Sequence, residues 1–300
     1  MRVLNTCAFV VAIFCLADAL AEEPREIPLW PSGMPQPVVP ADSPETVERK
    51  DGISRRSNVS NPRLFVFEPP AGVSKSGTAV IVVPGGGLSR LADEHEGSDA
   101  CVWLAKQGVV AFSLAHRTPT NMQPDPYAGP SQDVQRSVSV VRNRAAEFGI
   151  KPDKIGILGF SAGGHATLIA ASNDLLYPAD KEQASHRPDF LLLLYPYKIY
   201  DPATKALQSK IRLDGGLPPT FIAQMGDDTG SVPQGSALLY LELINRKIPA
   251  EIHIYERGGH GFGMRSRPNA TGPTDWQARA SDWLRLRGLT RPADAPGGSK

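Results

Sequence analysis

Residues 155–165 read Ile-Gly-Ile-Leu-Gly-Phe-Ser-Ala-Gly-Gly-His, an apolar run that ends in Gly-x-Ser-x-Gly and continues into an alanine-rich segment. This pattern predicts a buried strand followed by a helix, with Ser161 on the tight turn between them. A serine on such a turn has strained backbone geometry, and the residues two before and two after it must be small so that strand and helix can pass closely. Gly159 and Gly163 satisfy this requirement. The turn therefore exposes the Ser161 hydroxyl at a helix N-terminus, where backbone N–H groups stabilise developing negative charge.

Strand and helix patterns alternate on both sides of this turn. Apolar runs predict six further strands, at Leu64–Phe67, Ala79–Val83, Val109–Leu114, Phe190–Leu194, Thr220–Gln224 and Ile252–Tyr255. Helices are predicted at about 93–106, 133–148, 235–246 and 275–287. The alternation predicts an α/β protein with a mainly parallel sheet covered by helices on both faces. In such a sheet, ligands bind beyond the carboxyl ends of the strands.

The composition is typical of a globular protein with a single domain. The 300 residues are 41% hydrophobic and 21% charged, and no long low-complexity linker interrupts the pattern. We predict a folded domain over 53–290, an extended proline-rich segment over 22–52 that runs over the surface, and a loose tail over 291–300. The segment Thr118–Pro130 has four prolines, which predicts an irregular rim or lid loop. The net charge of +1, without a basic block, argues against nucleic acid and anionic membrane as partners.

Residues 1–21 have the organisation of a secretory signal. Arg2 gives a basic start, and Ala8–Leu16 is an apolar run too short to span a bilayer. Ala19-Leu20-Ala21 matches a small-x-small cleavage site. Cleavage after Ala21 predicts a secreted or periplasmic protein that is not held at the membrane.

The cysteines offer an alternative interpretation of the N-terminus. A lipid anchor on Cys15 would retain the protein at a membrane, but the bulky residues Ile13 and Phe14 stand where lipid-attachment sites prefer small ones. Signal cleavage removes two of the 3 cysteines and leaves Cys101. No intrachain disulfide is then expected.

A serine hydroxyl at its ordinary pKa needs a histidine base, and usually a carboxylate that orients the histidine. Of the 6 histidines, His260 lies in the glycine loop Gly258–Gly263, directly after the last predicted strand, where an imidazole can reach Ser161. The preceding strand ends in Met225-Gly226-Asp227-Asp228, and either of these adjacent carboxylates can face the histidine. We favour Asp228. His165 follows the serine by one helical turn and is predicted to point back into helix packing.

A serine nucleophile also needs backbone donors for the negative charge of its intermediate. The run Pro84-Gly85-Gly86-Gly87 follows the second predicted strand, and glycine allows a carbonyl oxygen to approach the backbone. We predict Gly86, Gly87 and Ala162 as these donors, each of which can contribute about 3 kcal/mol to transition-state stabilisation.

Other chemical motifs have little support. The sequence lacks a phosphate-binding Gly-x-x-x-x-Gly-Lys-Ser/Thr loop, a His-Glu-x-x-His pair and a Cys-x-x-Cys pair. Asp93-Glu94-His95-Glu96 is rich in potential metal ligands, but it precedes a predicted helix, whose N-terminus favours acidic residues. We therefore interpret it as a helix start and expect neither a metal nor a cofactor.

These motifs resemble the α/β-hydrolase superfamily and, more narrowly, the secreted bacterial carbohydrate esterases of the acetylxylan-esterase kind. The resemblance rests on Ile27–Pro31, Asn58–Pro62, Val83–Gly87, Gln132–Arg136, Gly159–His165, Gly226–Asp228 and Gly258–Gly263, in the expected order. Pro84 departs from the usual histidine, and Leu88 from a frequent aromatic residue. The residues after Asp228 also depart from the usual pattern, which keeps the choice between Asp227 and Asp228 open.

The resemblance implies an α/β-hydrolase fold and a serine esterase without a cofactor. Its substrates would be short acyl esters, acetyl above all, on plant or algal polysaccharide. A peptidase of the prolyl-oligopeptidase type shares the serine turn, but this chain has no room for the additional propeller domain. A non-catalytic carbohydrate-binding protein of the same fold is a third alternative, which the presence of serine, histidine and acid disfavours.

Overall fold

The computed structural model describes residues 25–39, 42–180, 184–265 and 275–290. The predicted signal segment and the predicted loose tail lie outside these residues. The strands within them are β1 Glu26–Pro28, β2 Thr46–Lys50, β3 Ile53–Ser57, β4 Arg63–Phe67, β5 Ala79–Val83, β6 Val110–Ala115, β7 Ile155–Phe160, β8 Phe190–Leu194, β9 Tyr200–Asp201, β10 Ala206–Leu207, β11 Thr220–Met225 and β12 Ala250–Tyr255. The helices are α1 Asp99–Ala105, α2 Ala128–Asn143, α3 Ala145–Phe148, α4 Ser161–Ser172, α5 Pro233–Asn245 and α6 Trp276–Leu286, and a π-helical turn spans Glu94–Ser98.

Eight of these strands form one sheet in the order β1-β4-β6-β5-β7-β8-β11-β12. Every neighbouring pair from β6 to β12 is parallel, and the pairs β1–β4 and β4–β6 are antiparallel. Strands β2 and β3 form a separate hairpin, as do β9 and β10. The predicted mainly parallel α/β sheet is therefore confirmed.

Side chains of β5 alternate between two hydrophobic cores. Ile81 packs into the core covered by α2, α4 and α5, whereas Val80 and Val82 pack into the core beneath α1 and α6. All five residues of the strand are buried. Because full burial of such a side chain contributes about 1.5–3 kcal/mol, a strand covered on both faces is apolar at every position. This explains the uninterrupted apolar run in the sequence.

Two regions differ from the sequence-based expectation. Part of the segment expected to run over the surface adds β1 to the sheet edge, and Leu29 beside it is fully buried. Helix α2 begins at Ala128, so the prediction that Thr118–Pro130 has no regular structure is wrong for its last three residues. Pro130 lies in the first helical turn, where a missing N–H leaves no hydrogen bond unmade.

The parallel strands end at one edge of the sheet, and the segments predicted to carry chemistry follow there. The glycine loop Pro84–Gly87 follows β5, Ser161 follows β7, the paired aspartates follow β11, and the histidine loop Gly258–Gly263 follows β12. Strand direction therefore brings Ser161 and His260, which are 99 positions apart in the chain, into contact.

Candidate active site

Ser161 lies between the last residue of β7 and the first turn of α4. Its φ of +48° is in the left-handed region, which is costly for a residue with a side chain. The flanking glycines are required by close approach: a Cβ at Gly163 would lie 2.3 Å from the carbonyl oxygen of Val83, and one at Gly159 would lie 2.8 Å from Cα of Gly164. The sequence prediction that both flanking positions must be small is confirmed.

His260 reaches Ser161 from the loop after β12. The distance between its Nε2 and Ser161 Oγ is 2.7 Å. Gly259 and Gly261 on either side have φ values of +65° and +72°, so the loop uses the conformational freedom of glycine to turn the imidazole toward the serine. The ring also makes an edge contact with the Tyr195 ring, with centroids 5.1 Å apart.

Asp228 is the carboxylate that contacts the histidine. Its buried Oδ2 lies 2.8 Å from His260 Nδ1. Oδ1 accepts the backbone N–H groups of Gly230 and Ser231, each at 2.8 Å. Gln224 Nε2 donates a further hydrogen bond to Oδ2 at 3.2 Å. These bonds hold the carboxylate in a fixed orientation.

Asp227 has a different role. Its Oδ1 accepts the backbone N–H groups of Gly258 and Gly259, at 2.9 and 2.8 Å, and so attaches the histidine loop to the end of β11. The N–H of Gly259, and then that of Gly258, lower the pKa of Asp227 below its usual value. Of the two carboxylates left open by the sequence, the structure therefore brings Asp228, not Asp227, to the imidazole.

The hydrogen bonds of His260 determine which of its two ring nitrogens carries the proton. An ionised carboxylate only accepts, so His260 Nδ1 carries the proton that faces Asp228. Nε2 then has a free lone pair and accepts the O–H of Ser161. This is the arrangement in which an imidazole can remove a proton from a serine hydroxyl.

The three predicted oxyanion donors remain available to a ligand. The amide of Gly85 is already used, because it donates to Glu96 Oε2 at 2.8 Å. Within the part of the chain that the structure describes, the amides of Gly86, Gly87 and Ala162 donate no hydrogen bond to protein. At Gly86 the backbone turns sharply, with φ of +130°, and a Cβ there would lie 2.1 Å from the carbonyl oxygen of Arg90.

Glu96 is a buried carboxylate that the sequence reasoning did not connect with the site. Its Oε2 binds the glycine loop through Gly85, and its Oε1 accepts the Tyr195 O–H at 2.8 Å. The Tyr195 oxygen in turn accepts the N–H of Gly263, at 2.8 Å, in the histidine loop. Glu96 thus joins the two loops that flank Ser161. The interpretation of its segment as a helix start is correct. The role of Glu96 has no local sequence signal, because its partners Gly85 and Tyr195 are 11 and 99 residues away.

A cavity of about 560 Å³ begins at the predicted oxyanion donor Gly87, and Ser161 itself is not among its lining residues. The lining residue Tyr197 links this cavity to the catalytic residues: its N–H donates to the Ser161 carbonyl at 2.8 Å, and its ring centroid lies 5.9 Å from that of His260. The predicted rim segment contributes one wall. The lining residues are Gly87, Leu88, Asn121, Pro124, Asp125, Pro126, Tyr127, His165, Tyr197, Lys198, Gln208, Ser209 and Lys210. His165 therefore faces this cavity, in addition to packing against the helix.

Among the described residues, no three His, Cys, Asp or Glu side chains are grouped so that they could hold a metal ion. The same part of the chain contains no helix that is both long and apolar enough to cross a membrane.

Comparison with known proteins gives consistent similarities. A family model described as BD-FAE matches residues 66–190. The acetylxylan esterase of Xylanibacter ruminicola is 31% identical over 204 residues, which cover 63% of this chain and 42% of that protein. The chain spans less than half the length of the curated relatives that it matches.

Solved structures extend the similarity to nearly the whole chain. An acetyl ester-xyloside bifunctional hydrolase from Caldicellulosiruptor lactoaceticus has a TM-score of 0.66 at 27% identity, covering 91% of this chain and 100% of that one. A thermophilic esterase, Est2 of Thermogutta terrifontis, has a TM-score of 0.66 at 20% identity and covers 86% and 98%, a likeness of fold alone. With its sheet order and serine turn, the chain has the α/β-hydrolase fold, and it is similar to carbohydrate esterases.

Proposed function

We propose that the protein is a serine esterase that hydrolyses short-chain esters, above all acetyl esters, on carbohydrate. One observation carries the proposal: Ser161, His260 and Asp228 form a continuous line of hydrogen bonds, of 2.7 and 2.8 Å, at the carboxyl edge of the sheet. The names of the acetylxylan esterase and the acetyl ester-xyloside hydrolase support carbohydrate esters as the substrate class.

In the proposed reaction, Ser161 Oγ attacks the ester carbonyl carbon while His260 Nε2 accepts the hydroxyl proton. The carbonyl oxygen becomes an oxyanion, which accepts hydrogen bonds from the amides of Gly86, Gly87 and Ala162. The C–O bond to the sugar then breaks, and the proton on Nε2 passes to the departing sugar oxygen. Water attacks the resulting acyl-serine with His260 again as base, which releases the carboxylic acid and regenerates the serine.

Asp228 supports both halves of this cycle. When Nε2 holds the serine proton, the ring is an imidazolium, and the buried carboxylate stabilises that charge through Nδ1. Because Asp228 is itself fixed by two backbone N–H groups, the ring keeps one orientation throughout. The carboxylate stays ionised while the imidazole carries the proton.

The proposal is tested by replacing the nucleophile. The substitution Ser161→Ala removes the attacking oxygen and is expected to lower kcat for p-nitrophenyl acetate by about 10⁴-fold or more. Acetate release from acetylated xylan should fall in parallel, and labelling by a fluorophosphonate probe should disappear.

Ser185→Ala is the matched control, because this exposed serine precedes β8 at the opposite edge of the sheet. It should keep both activities and the labelling. Acetate release by Ser161→Ala at the wild-type rate, in protein that melts at the same temperature, would exclude the proposed reaction.

A further inference from the structure

The cavity that Gly87 and Tyr197 line is much larger than an acetyl group requires. Its volume of about 560 Å³ lies within the range of roughly 300–1,000 Å³ found for small-molecule sites. Two tyrosines, Tyr127 and Tyr197, line it together with polar and charged residues such as Asn121 and Gln208. Such a lining suits a ligand that is apolar on one face and rich in hydroxyl groups at its edge.

His165 presents a fixed hydrogen-bond acceptor to this cavity. Its Nδ1 lies 2.9 Å from the carbonyl oxygen of Tyr197. Because a carbonyl only accepts, the proton of the neutral ring is on Nδ1, and Nε2 carries the lone pair. Within the described residues, Nε2 has no hydrogen-bond partner, although the residue is only 4% exposed.

The charge state of His165 follows from its surroundings. Burial lowers the pKa of His165 to about 4, against which the hydrogen bond to Tyr197 acts in the opposite direction. The imidazole is therefore neutral at the pH values at which a histidine base works, and Nε2 only accepts. A hydroxyl group can donate to it, whereas a carboxylate or a fully ionised phosphate cannot.

Two tyrosines, Tyr127 and Tyr197, line the same cavity as His165. The Tyr127 ring packs against the His165 ring with centroids 4.0 Å apart. Burial, and then the neighbouring Tyr197, raise the pKa of Tyr127 well above its usual value, so that its hydroxyl stays a donor. In the part of the chain described by the structure, neither tyrosine hydroxyl has a hydrogen-bond partner. His165 Nε2 and the hydroxyls of Tyr127 and Tyr197 therefore have no hydrogen-bond partner among the described residues, and all three residues line one cavity.

We propose that this cavity is a sugar-binding subsite for the alcohol part of the ester, in which His165 Nε2 accepts a hydrogen bond from a sugar hydroxyl. The rings of Tyr127 and Tyr197 pack against the C–H surfaces of the sugar, and their hydroxyls bind its oxygens. The inference rests on the proposed esterase function and deepens it, because it assigns specificity for carbohydrate over simple esters to three residues outside the serine, histidine and aspartate.

The test compares two acetyl esters that differ in the alcohol. For each variant, kcat/KM is measured for an acetylated xylo-oligosaccharide and for p-nitrophenyl acetate, which cannot donate a hydroxyl to Nε2. His165→Phe keeps an aromatic ring against Tyr127 but removes the acceptor. We expect the ratio of the two kcat/KM values to fall about 10-fold, mainly through KM for the oligosaccharide.

Two matched variants separate the hydrogen bond from general effects. His165→Gln can donate its amide to the Tyr197 carbonyl and present its oxygen to the cavity, so it should recover part of the ratio. His253→Phe makes the same change on β12, away from the cavity, and should alter the ratio by less than about twofold. If His165→Phe fails to fold, Tyr197→Phe, which removes one hydroxyl, provides the same comparison.

A binding measurement gives an independent readout. In a Ser161→Ala background, calorimetric titration with xylotriose should show a Kd about 10-fold higher when His165→Phe is added. An unchanged ratio and an unchanged Kd would overturn the subsite while leaving the esterase intact. If the wild-type protein cleaves neither ester, the proposed function itself fails, so the two failures are distinguishable.

Discussion

Replacing Asp228 by asparagine tests how the buried carboxylate acts on the histidine. The substitution keeps the shape of the side chain, removes one negative charge and changes one oxygen into an N–H donor. The hydrogen bonds determine which oxygen is lost. Oδ1 accepts the N–H groups of Gly230 and Ser231, whereas Oδ2 accepts His260 Nδ1–H and Gln224 Nε2–H.

Both orientations of the new amide are unfavourable, but they are not equivalent. With its NH₂ at the Oδ1 position, the asparagine would leave two backbone donors without an acceptor. With its NH₂ at the Oδ2 position, it keeps both backbone bonds but can no longer accept from Gln224 or from His260 Nδ1. The second orientation should therefore dominate. It points a donor at His260 Nδ1 and forces the proton of the ring onto Nε2, where it can no longer accept the Ser161 proton.

The size of the effect follows from the charge and the geometry. Charges about 4 Å apart in an effective dielectric of about 20 interact by about 4 kcal/mol, which corresponds to roughly 10³-fold in rate. The wrong tautomer adds to this loss, so kcat should fall by about 10³- to 10⁴-fold. Because the carboxylate does not contact the substrate, KM should change by less than about threefold.

The assay is steady-state hydrolysis of p-nitrophenyl acetate, and Asp227→Asn is the matched control. Asp227 is exposed, and an asparagine oxygen can still accept the N–H groups of Gly258 and Gly259, so its kcat should fall by less than about fivefold. If Asp228→Asn kept more than a tenth of the wild-type kcat, or if Asp227→Asn lost more, the assignment of roles to the two carboxylates would be wrong.

Three further predictions concern the surroundings of the serine. Glu96→Gln should lower kcat about 10- to 100-fold with little change in KM, because the NH₂ of the new amide does not accept, so that the side chain cannot accept from both Gly85 and Tyr195 and one hydrogen bond between the two flanking loops is lost. Tyr195→Phe should have a similar effect, and a double variant should show that the two losses are not additive. Gly163→Ala places a Cβ 2.3 Å from the Val83 carbonyl oxygen and should give insoluble protein or a melting temperature lowered by several degrees, measured by circular dichroism. Because the folded-state pKa of His165 is about 4, only the unfolded chain binds a proton at this residue as pH falls from 6.5 to 4. Urea titrations should therefore show that the free energy of unfolding decreases over that window. About 3 kcal/mol of the decrease should be absent in His165→Gln.

The predicted and observed elements agree most closely where the pattern of adjacent residues alone identifies a strand. The predicted strands at Ala79–Val83 and Phe190–Leu194 match β5 and β8 residue for residue, because burial on both faces leaves an uninterrupted apolar run. Helix α2 begins five residues before the start that the sequence pattern predicts, because prolines before Asp133 do not exclude a helix. A proline in the first helical turn lacks only an N–H that has no helical partner.

The sequence by itself determined the order along the chain in which the serine, the acid and the histidine follow their strands. It also determined the serine turn with its glycines, and the histidine loop. Each of these depends on contacts or backbone angles within a few residues, which the local sequence encodes. The choice of Asp228 over Asp227, the bridge through Glu96 and the exposure of His165 to the cavity were decided by the tertiary structure alone. Adjacent loop residues have equal access to a partner until the backbone fixes their directions, and a buried side chain bonds to groups that are neighbours only after the sheet has formed.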